Sequence, residues 1–285
     1  MIKGDLMKLG CHVSIREGYL GAAKLATKLG ASVFQYFPKN PRSLAIKEVN
    51  NTDALYCREF CNEHKLISIA HSPYPTNLTP SSGDQKQRVI HSLVNDLSIA
   101  HACGSIGVVV HFGKEFHATD PLVGYQKMIE IINEVIKRSD NSCKLLLENN
   151  AGKPGSIGTT LEELAQIRKL TDSPERIGYC LDTCHAFASG LWTGDNWADL
   201  VINGDKVDFF TNLSVIHLNN SRYPVGSGKD RHANILDDGH INEKQWTSLI
   251  TSPVIQDVPL VLETPSEHRI NHKEEIRQLK EKWDN

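Results

Sequence analysis

The sequence predicts an α/β protein, a closed (β/α)8 TIM barrel with a metal site at the C-terminal face of its strands. Three observations predict it. Short apolar runs alternate with longer amphipathic stretches from end to end, there are eight such runs, and seven of the eight end in a side chain able to bind a metal. Strand–helix alternation means parallel pairing with right-handed crossovers. Eight repeats within 285 residues suit a closed barrel. An open nucleotide-binding sheet would carry a glycine-rich loop after its first strand, and Gly10-Cys11-His12-Val13-Ser14 is not one.

In chain order, the runs read as strands cover 8–12, 32–37, 67–71, 106–111, 144–148, 177–182, 214–217 and 260–263. Amphipathic helical patterns cover 20–29, 54–64, 85–103, 122–138, 161–170 and 243–250, and a last helix over 273–283 closes the chain. Two connections, 72–84 and 218–242, are longer than βα loops usually are, and such loops commonly serve a site. No Pro/Ser linker or low-complexity tract divides the chain, so residues 1–285 are expected to form a single domain.

Composition is that of an ordinary soluble globular protein, with 40% hydrophobic and 23% charged residues. A net charge of −3 argues against a generic basic nucleic-acid binder. The seven cysteines are scattered without a C-x-x-C pair, which excludes a zinc ribbon or thioredoxin-like motif and fits a reducing, cytoplasmic setting. The N-terminus carries no apolar core of signal-peptide length, and no run approaches a membrane span.

The strand ends carry the chemistry. Strand one ends in His12, strand three in His71, strand four in His111, strand five in Glu148, strand six in Asp182, strand seven in His217 and strand eight in Glu263; strand two instead runs on to Lys39-Asn40. In a barrel these ends converge on one face. Carboxylates crowded there repel one another unless neutralised, and imidazoles beside carboxylates are the zinc ligand set. Two short motifs add ligands: His185 follows Asp182 by three residues, and Asp230-Arg231-His232 offers a pair at i and i+2. Counting His71, His111, Glu148, Asp182, His185, His217, Asp230, His232 and Glu263 gives nine candidates, too many for one zinc with its four ligands and suited to three ions with a bridging carboxylate. Each residue has a plainer role open to it: a strand-end histidine as a hydrogen-bonded core residue, Asp182 as a helix N-cap, Glu263 as half of an ion pair. Their joint occurrence at the same end of consecutive strands favours the cluster. Cys180, one layer below Asp182 on the same strand face, is expected to be packing, as are Cys184 and the Cys57/Cys61 pair.

Several segments resemble the endonuclease-IV-type apurinic/apyrimidinic endonucleases. They are Gly10-Cys11-His12-Val13-Ser14, Leu147-Glu148-Asn149, residues 180–190, His217-Leu218-Asn219, Gly226-Ser227, Asp230-Arg231-His232 and Leu262-Glu263-Thr264-Pro265, and the correspondence runs nearly end to end. The resemblance implies a hydrolase that incises double-stranded DNA 5′ to abasic sites, leaving a 3′-hydroxyl, and clears blocked 3′ ends. It implies three zinc ions: one on His71, His111 and Glu148; a second sharing Glu148 with Asp182, His217 and Glu263; a third on His185, Asp230 and His232. Glu148 would bridge and orient the nucleophile. Three divalent ions turn the net charge from −3 to +3, with the gain concentrated at the mouth. Arg42, Lys39, Lys153, Arg222, Lys229 and Arg231 lie in loops after strands and are candidates to grip neighbouring phosphates. The resemblance gives the duplex-opening, DNA-binding roles to Arg42 and Tyr74, with Pro75 where relatives commonly carry leucine. No protein partner is implied, and a monomer is expected. Two departures stand out: Asn220 replaces an aspartate common in relatives, removing a charge expected near the ligands, and the turn after His232 is one residue longer. The competing readings are a xylose-isomerase-like sugar isomerase or epimerase with one or two divalent ions, for which His185, Asp230 and His232 are superfluous, and a non-catalytic DNA- or metal-binding module.

Overall fold

The structure, a computed structural model, describes residues 7–113, 121–153, 156–237, 239–266 and 270–284. Its elements are β1 (Leu9–His12), α1 (Gly18–Lys28), β2 (Val33–Tyr36), α2 (Asn51–His64), β3 (Ile67–His71), α3 (Gly83–Cys103), β4 (Gly107–His111) and α4 (Pro121–Arg138). Next come β5 (Lys144–Glu148), α5 (Leu161–Leu170), β6 (Ile177–Asp182), α6 (Thr183–Ser189), α7 (Trp197–Asp205) and β7 (Leu213–His217). The chain continues through β8 (Asn220–Ser221), β9 (His232–Ala233), α8 (Glu243–Ile250), β10 (Leu260–Leu262) and α9 (His272–Trp283). Strands β1–β7 and β10 pair in parallel and close into a barrel, the (β/α)8 architecture expected. The short β8 and β9 pair antiparallel inside the long loop after β7.

Side-chain alternation along each strand builds the barrel in layers. Val33, Ile69, Val109, Leu146, Cys180, Val215 and Val261 fill the inside, each on a different strand. Leu146 spreads between two glycines: a Cβ on Gly107 or on Gly178 would meet it at 2.7 or 2.8 Å. Two residues further along each strand the same inward face recurs. Those positions are Gln35, His71, His111, Glu148, Asp182, His217 and Glu263, with His12 completing the ring on β1. The apolar layer is thus the floor of the mouth, and Cys180 lies in it, under Asp182.

The outward faces of the strands pack on the helices in a second, larger core that includes Phe34, Tyr36, Tyr179, Trp192 and Trp246. Short polar residues set the helix starts: Asn50, Ser82, Thr160, Asn242 and Asn271 each accept a backbone N–H from the first turn of the helix that follows. Helices α6 and α7 fall where the sequence predicts none. All seven residues of α6 are buried, so it shows no polar face. Strand β10 stops at Leu262, placing Glu263 just beyond the ladder. No described helix is long and apolar enough to cross a membrane.

Candidate metal centre

Strand register sets neighbouring ligand candidates side by side. His111 pairs with Glu148 across β4 and β5, and Asp182 with His217 across β6 and β7. Glu148, 1% exposed, is the hub. Its Oε1 lies 2.9 Å from His217 Nδ1 and 3.5 Å from His185 Nδ1, while Oε2 lies 3.4 Å from His71 Nε2 and 3.2 Å from His111 Nε2. Glu263 Oε2 stands 3.3 Å from His217 Nδ1. Asp182 divides its oxygens: Oδ1 accepts the His185 backbone N–H at 2.7 Å and caps α6, leaving Oδ2 3.8 Å from His217 Nδ1 and 3.7 Å from His232 Nε2. Asp182 is therefore both N-cap and part of the cluster.

Asp230 closes the outer side. The β8–β9 pairing folds the long loop back so that Asp230 Oδ1 lies 3.1 Å from His232 Nε2 and Oδ2 3.3 Å from His185 Nε2. All nine candidates thus gather at one mouth, with Asp182 and His217 buried behind the other seven. Within it, His71–His111–Glu148, His71–His217–Glu263 and His185–Asp230–His232 each bring their ligand atoms within 4.8 Å of one another, close enough to share an ion.

The imidazoles are aimed by their outer nitrogens. His71 Nδ1 donates to the Ser72 carbonyl at 2.8 Å, His185 Nδ1 to the Asn149 carbonyl at 2.9 Å and His232 Nδ1 to the Glu263 carbonyl at 3.2 Å. A carbonyl only accepts, so in each ring Nε2 is the nitrogen left to face the mouth. His217 is held the other way round. Gln35 Nε2 donates to Glu263 Oε1 at 2.7 Å, which turns Gln35 Oε1 to accept from His217 Nε2 at 2.8 Å and leaves Nδ1 inward. Outer partners of this kind fix tautomer and orientation in metal sites.

Two buried polar atoms in the mouth, Glu148 Oε2 and His232 Nε2, make no well-directed hydrogen bond, and what lies beside them are other ligand candidates: Oε2 is 3.2 Å from His111 Nε2, and Nε2 is 3.1 Å from Asp230 Oδ1. Ligand-type atoms crowded in this way without well-directed hydrogen bonds require an explanation, and cations between them would supply one. Electrostatics agree. Burial alone would raise the Glu263 carboxyl, yet His217 and His71 bring it down to about 2. Burial opposes charge on His232 as well, but its bond to Asp230 and the charges of Asp182 and Glu263 raise it to about 9. His111, His185 and His217 are also raised, burial being outweighed by nearby acidic groups. Without metal, protons supply the positive charge these carboxylates require. His12 stays apart: burial lowers it to about 4, and its Nδ1 accepts from Gln35 Nε2 at 3.2 Å.

Sequence reasoning passed over Gln35, Asn149 and Asn219. Asn149 Oδ1 accepts the Asp182 backbone N–H at 2.7 Å, and Asn219 Nδ2 donates to Asp182 Oδ2 at 2.7 Å while its Oδ1 accepts the Glu263 N–H at 2.9 Å. For Gln35 a signal existed: it sits two residues after Val33 in the inward register.

The mouth is a cavity of about 570 Å³ whose rim includes Tyr74, Arg222, Arg231 and His272. Tyr74 is 58% exposed, its ring centre 5.0 Å from that of Phe37 in an edge-on arrangement and its backbone N–H donated to the Pro41 carbonyl, which joins its loop to that of the exposed Arg42. Lys153, Arg222, Lys229 and Arg231 are exposed as well. Lys39 is not free to meet phosphate: it is buried, 2.9 Å from Asp96 Oδ1 and bonded to the Ser92 carbonyl, and it anchors its loop to α3. Asn220 also departs from expectation. Its Nδ2 donates to the Ile235 and Ile241 carbonyls and its Oδ1 accepts the Ser221 and Ile241 N–H groups. It braces the turn after His232, a task for which the two donors of an amide are needed and a carboxylate would not serve. Cys184 is fully buried; although its thiol lies within reach of Asp182 and His232, burial raises its pKa far above the usual thiol range.

A family model described as a xylose isomerase-like TIM barrel matches residues 23–283. A curated relative from Symbiobacterium thermophilum, named probable endonuclease 4, is 40% identical over 95% of this chain and 97% of its own length. One of the same name from Halothermothrix orenii is 38% identical over 91% of this chain and 94% of its own. The crystal structure of endonuclease IV from Thermus thermophilus superposes with a TM-score of 0.82 at 30% identity, covering 96% of both chains. A D-tagatose 3-epimerase-like protein superposes at 0.67 with 19% identity, a likeness of barrel alone. Taken with the strand-end cluster, these full-length matches establish that the chain belongs to the endonuclease IV family of nucleases.

Proposed function

We propose that the protein hydrolyses the DNA backbone 5′ to abasic sites and removes 3′-blocking groups, using three zinc ions. The observation that carries this reading is the convergence of nine ligand side chains at one mouth, three groups of them with ligand atoms close enough to share an ion. His71, His111 and Glu148 would hold one ion, Glu148, Asp182, His217 and Glu263 a second, and His185, Asp230 and His232 a third. Bound zinc supplies Lewis acidity toward phosphoryl oxygens and a nucleophile near neutral pH.

The chain's own residues supply the rest. Glu148, reached by four imidazoles, is placed to orient the nucleophile. The carbonyls of Ser72, Asn149 and Glu263 and the Gln35 side chain keep the imidazoles in the tautomers described, so the mouth needs no reorganisation when substrate arrives. Arg222 and Arg231 rim the site as exposed cations for flanking phosphates, and exposed Arg42 lies on the loop bonded to that of Tyr74. Exposed Tyr74 fits a wedge that enters the stack where a nucleotide has left it. The sugar-epimerase reading gives no role to Asp230 and His232, which stand in the mouth beside His185.

The test is a duplex carrying one abasic-site analogue and labelled at either end. The zinc-loaded protein should cut once, on the 5′ side, leaving a 3′-hydroxyl that a polymerase extends. An intact duplex, with interconversion of a ketose by the same preparation, would overturn the proposal.

A further inference from the structure

Glu275 is a buried carboxylate that the proposed chemistry leaves unused. It lies in the first turns of α9, 2% exposed, and its hydrogen-bond donors are neutral. Oε1 accepts the Ile235 backbone N–H at 2.9 Å; Oε2 accepts Asn234 Nδ2 at 2.9 Å and the Thr264 hydroxyl at 2.6 Å. Ile235 and Asn234 follow His232 on the β9 side, and Thr264 directly follows Glu263 after β10. Asn234 Nδ2 also donates to the Pro265 carbonyl at 3.0 Å, and His272, at the start of α9, contacts the Thr264 carbonyl at 3.0 Å.

We infer that Glu275 is a positioning residue for the metal centre, one carboxylate fixing the separation of two ligand-bearing segments. Those segments also meet directly: His232 Nδ1 donates to the Glu263 carbonyl, so a shift of either segment misdirects the other's ligand. A buried carboxylate with three donors and no formal counter-charge among them is costly to desolvate. Its placement is explained by what it holds. Glutamine at this position cannot serve all three donors. With its oxygen toward Asn234 and Thr264, its NH2 faces the Ile235 N–H; reversed, it faces the other two.

The inference rests on the zinc reading above, and its test separates the two. Wild type, Glu275→Gln and Leu279→Ala are purified with zinc; Leu279 is buried one turn further along the same helix and meets neither loop in the bonds above. Zinc content and the rate of zinc loss to a coloured chelator are measured, along with the thermal midpoint of each metal-free protein. Glu275→Gln should lose zinc about ten- to a hundredfold faster, the range found when an outer partner of a metal ligand is removed. Leu279→Ala should lower the thermal midpoint without that acceleration. In the metal-free protein, the Ile235 amide should exchange with solvent faster in the Gln variant. Equal zinc loss in wild type and Glu275→Gln, or equal acceleration in both variants, overturns the positioning role. Wild type that carries no zinc overturns the underlying reading instead.

Discussion

Replacing Glu148 with glutamine removes one charge from the hub and leaves its shape. Four imidazole nitrogens lie within 3.5 Å of its two oxygens, and the side chain is 1% exposed. A unit charge about 4 Å from its partner contributes about 4 kcal/mol at an effective dielectric near 20, or about three powers of ten in rate. Turnover of an abasic duplex should therefore fall by at least about a thousandfold. The fold should survive, because Leu145, Leu146 and Leu147 keep β5 packed on both faces and the amide still fits beside His217. The assay pairs single-turnover cleavage with zinc content and with circular dichroism of the metal-free variant. Wild-type turnover in Glu148→Gln would refute the placement of this carboxylate at the reacting centre.

Three further outcomes follow from the same geometry. Tyr74→Ala should weaken binding of abasic duplex by about 1–3 kcal/mol, the scale of one stacking contact, and hardly affect trimming at a nick, where the end is already free; equal losses on both substrates would leave Tyr74 a scaffold residue. Asn220→Asp should destabilise the protein by about 1–3 kcal/mol for each of the two carbonyls that lose a donor, seen in urea unfolding, and an unchanged midpoint would contradict the bracing role. Zinc loading at pH 7 should release protons into a weakly buffered indicator solution. His232 is raised from 6.5 to about 9, so in the metal-free protein it is charged at neutral pH, and an imidazole must be neutral to bind metal. The sign for stability follows: its contribution to the metal-free fold is full below about 6.5 and is lost as pH rises through about 9. Zinc uptake with no proton release would contradict these shifts.

The barrel was legible because strand alternation is a strict two-residue rule. Once Val109 and Leu146 are inward, His111 and Glu148 must be as well, and the ligand layer follows from the apolar one. The same rule applied to β2 would have found Gln35, which drew no notice because an amide is not a metal ligand. Asn149 and Asn219 stand inside the motifs that carry the resemblance, but their hydrogen bonds reach across to Asp182 and Glu263 on other strands. Tertiary partners of that kind leave no local spacing to read. Lys39 misled for the opposite reason. A lysine three residues before Arg42 reads as a surface cation, and only the packing of α3 shows it paired with Asp96, whose carboxyl burial raises to about 7. Helix α6 escaped because Asp182 begins it while its whole length is enclosed, so no polar face marked it.

The trinuclear centre is the claim on which the rest depends, and the metal content of the purified protein tests it most directly. Elemental analysis after extensive dialysis should return about three zinc per chain, since nine ligands with one bridging carboxylate would fill all but about two of the positions of three tetrahedral ions and leave those for substrate. A single manganese or magnesium per chain, with no zinc retained, would contradict the account and return the protein to the sugar-isomerising branch of its fold.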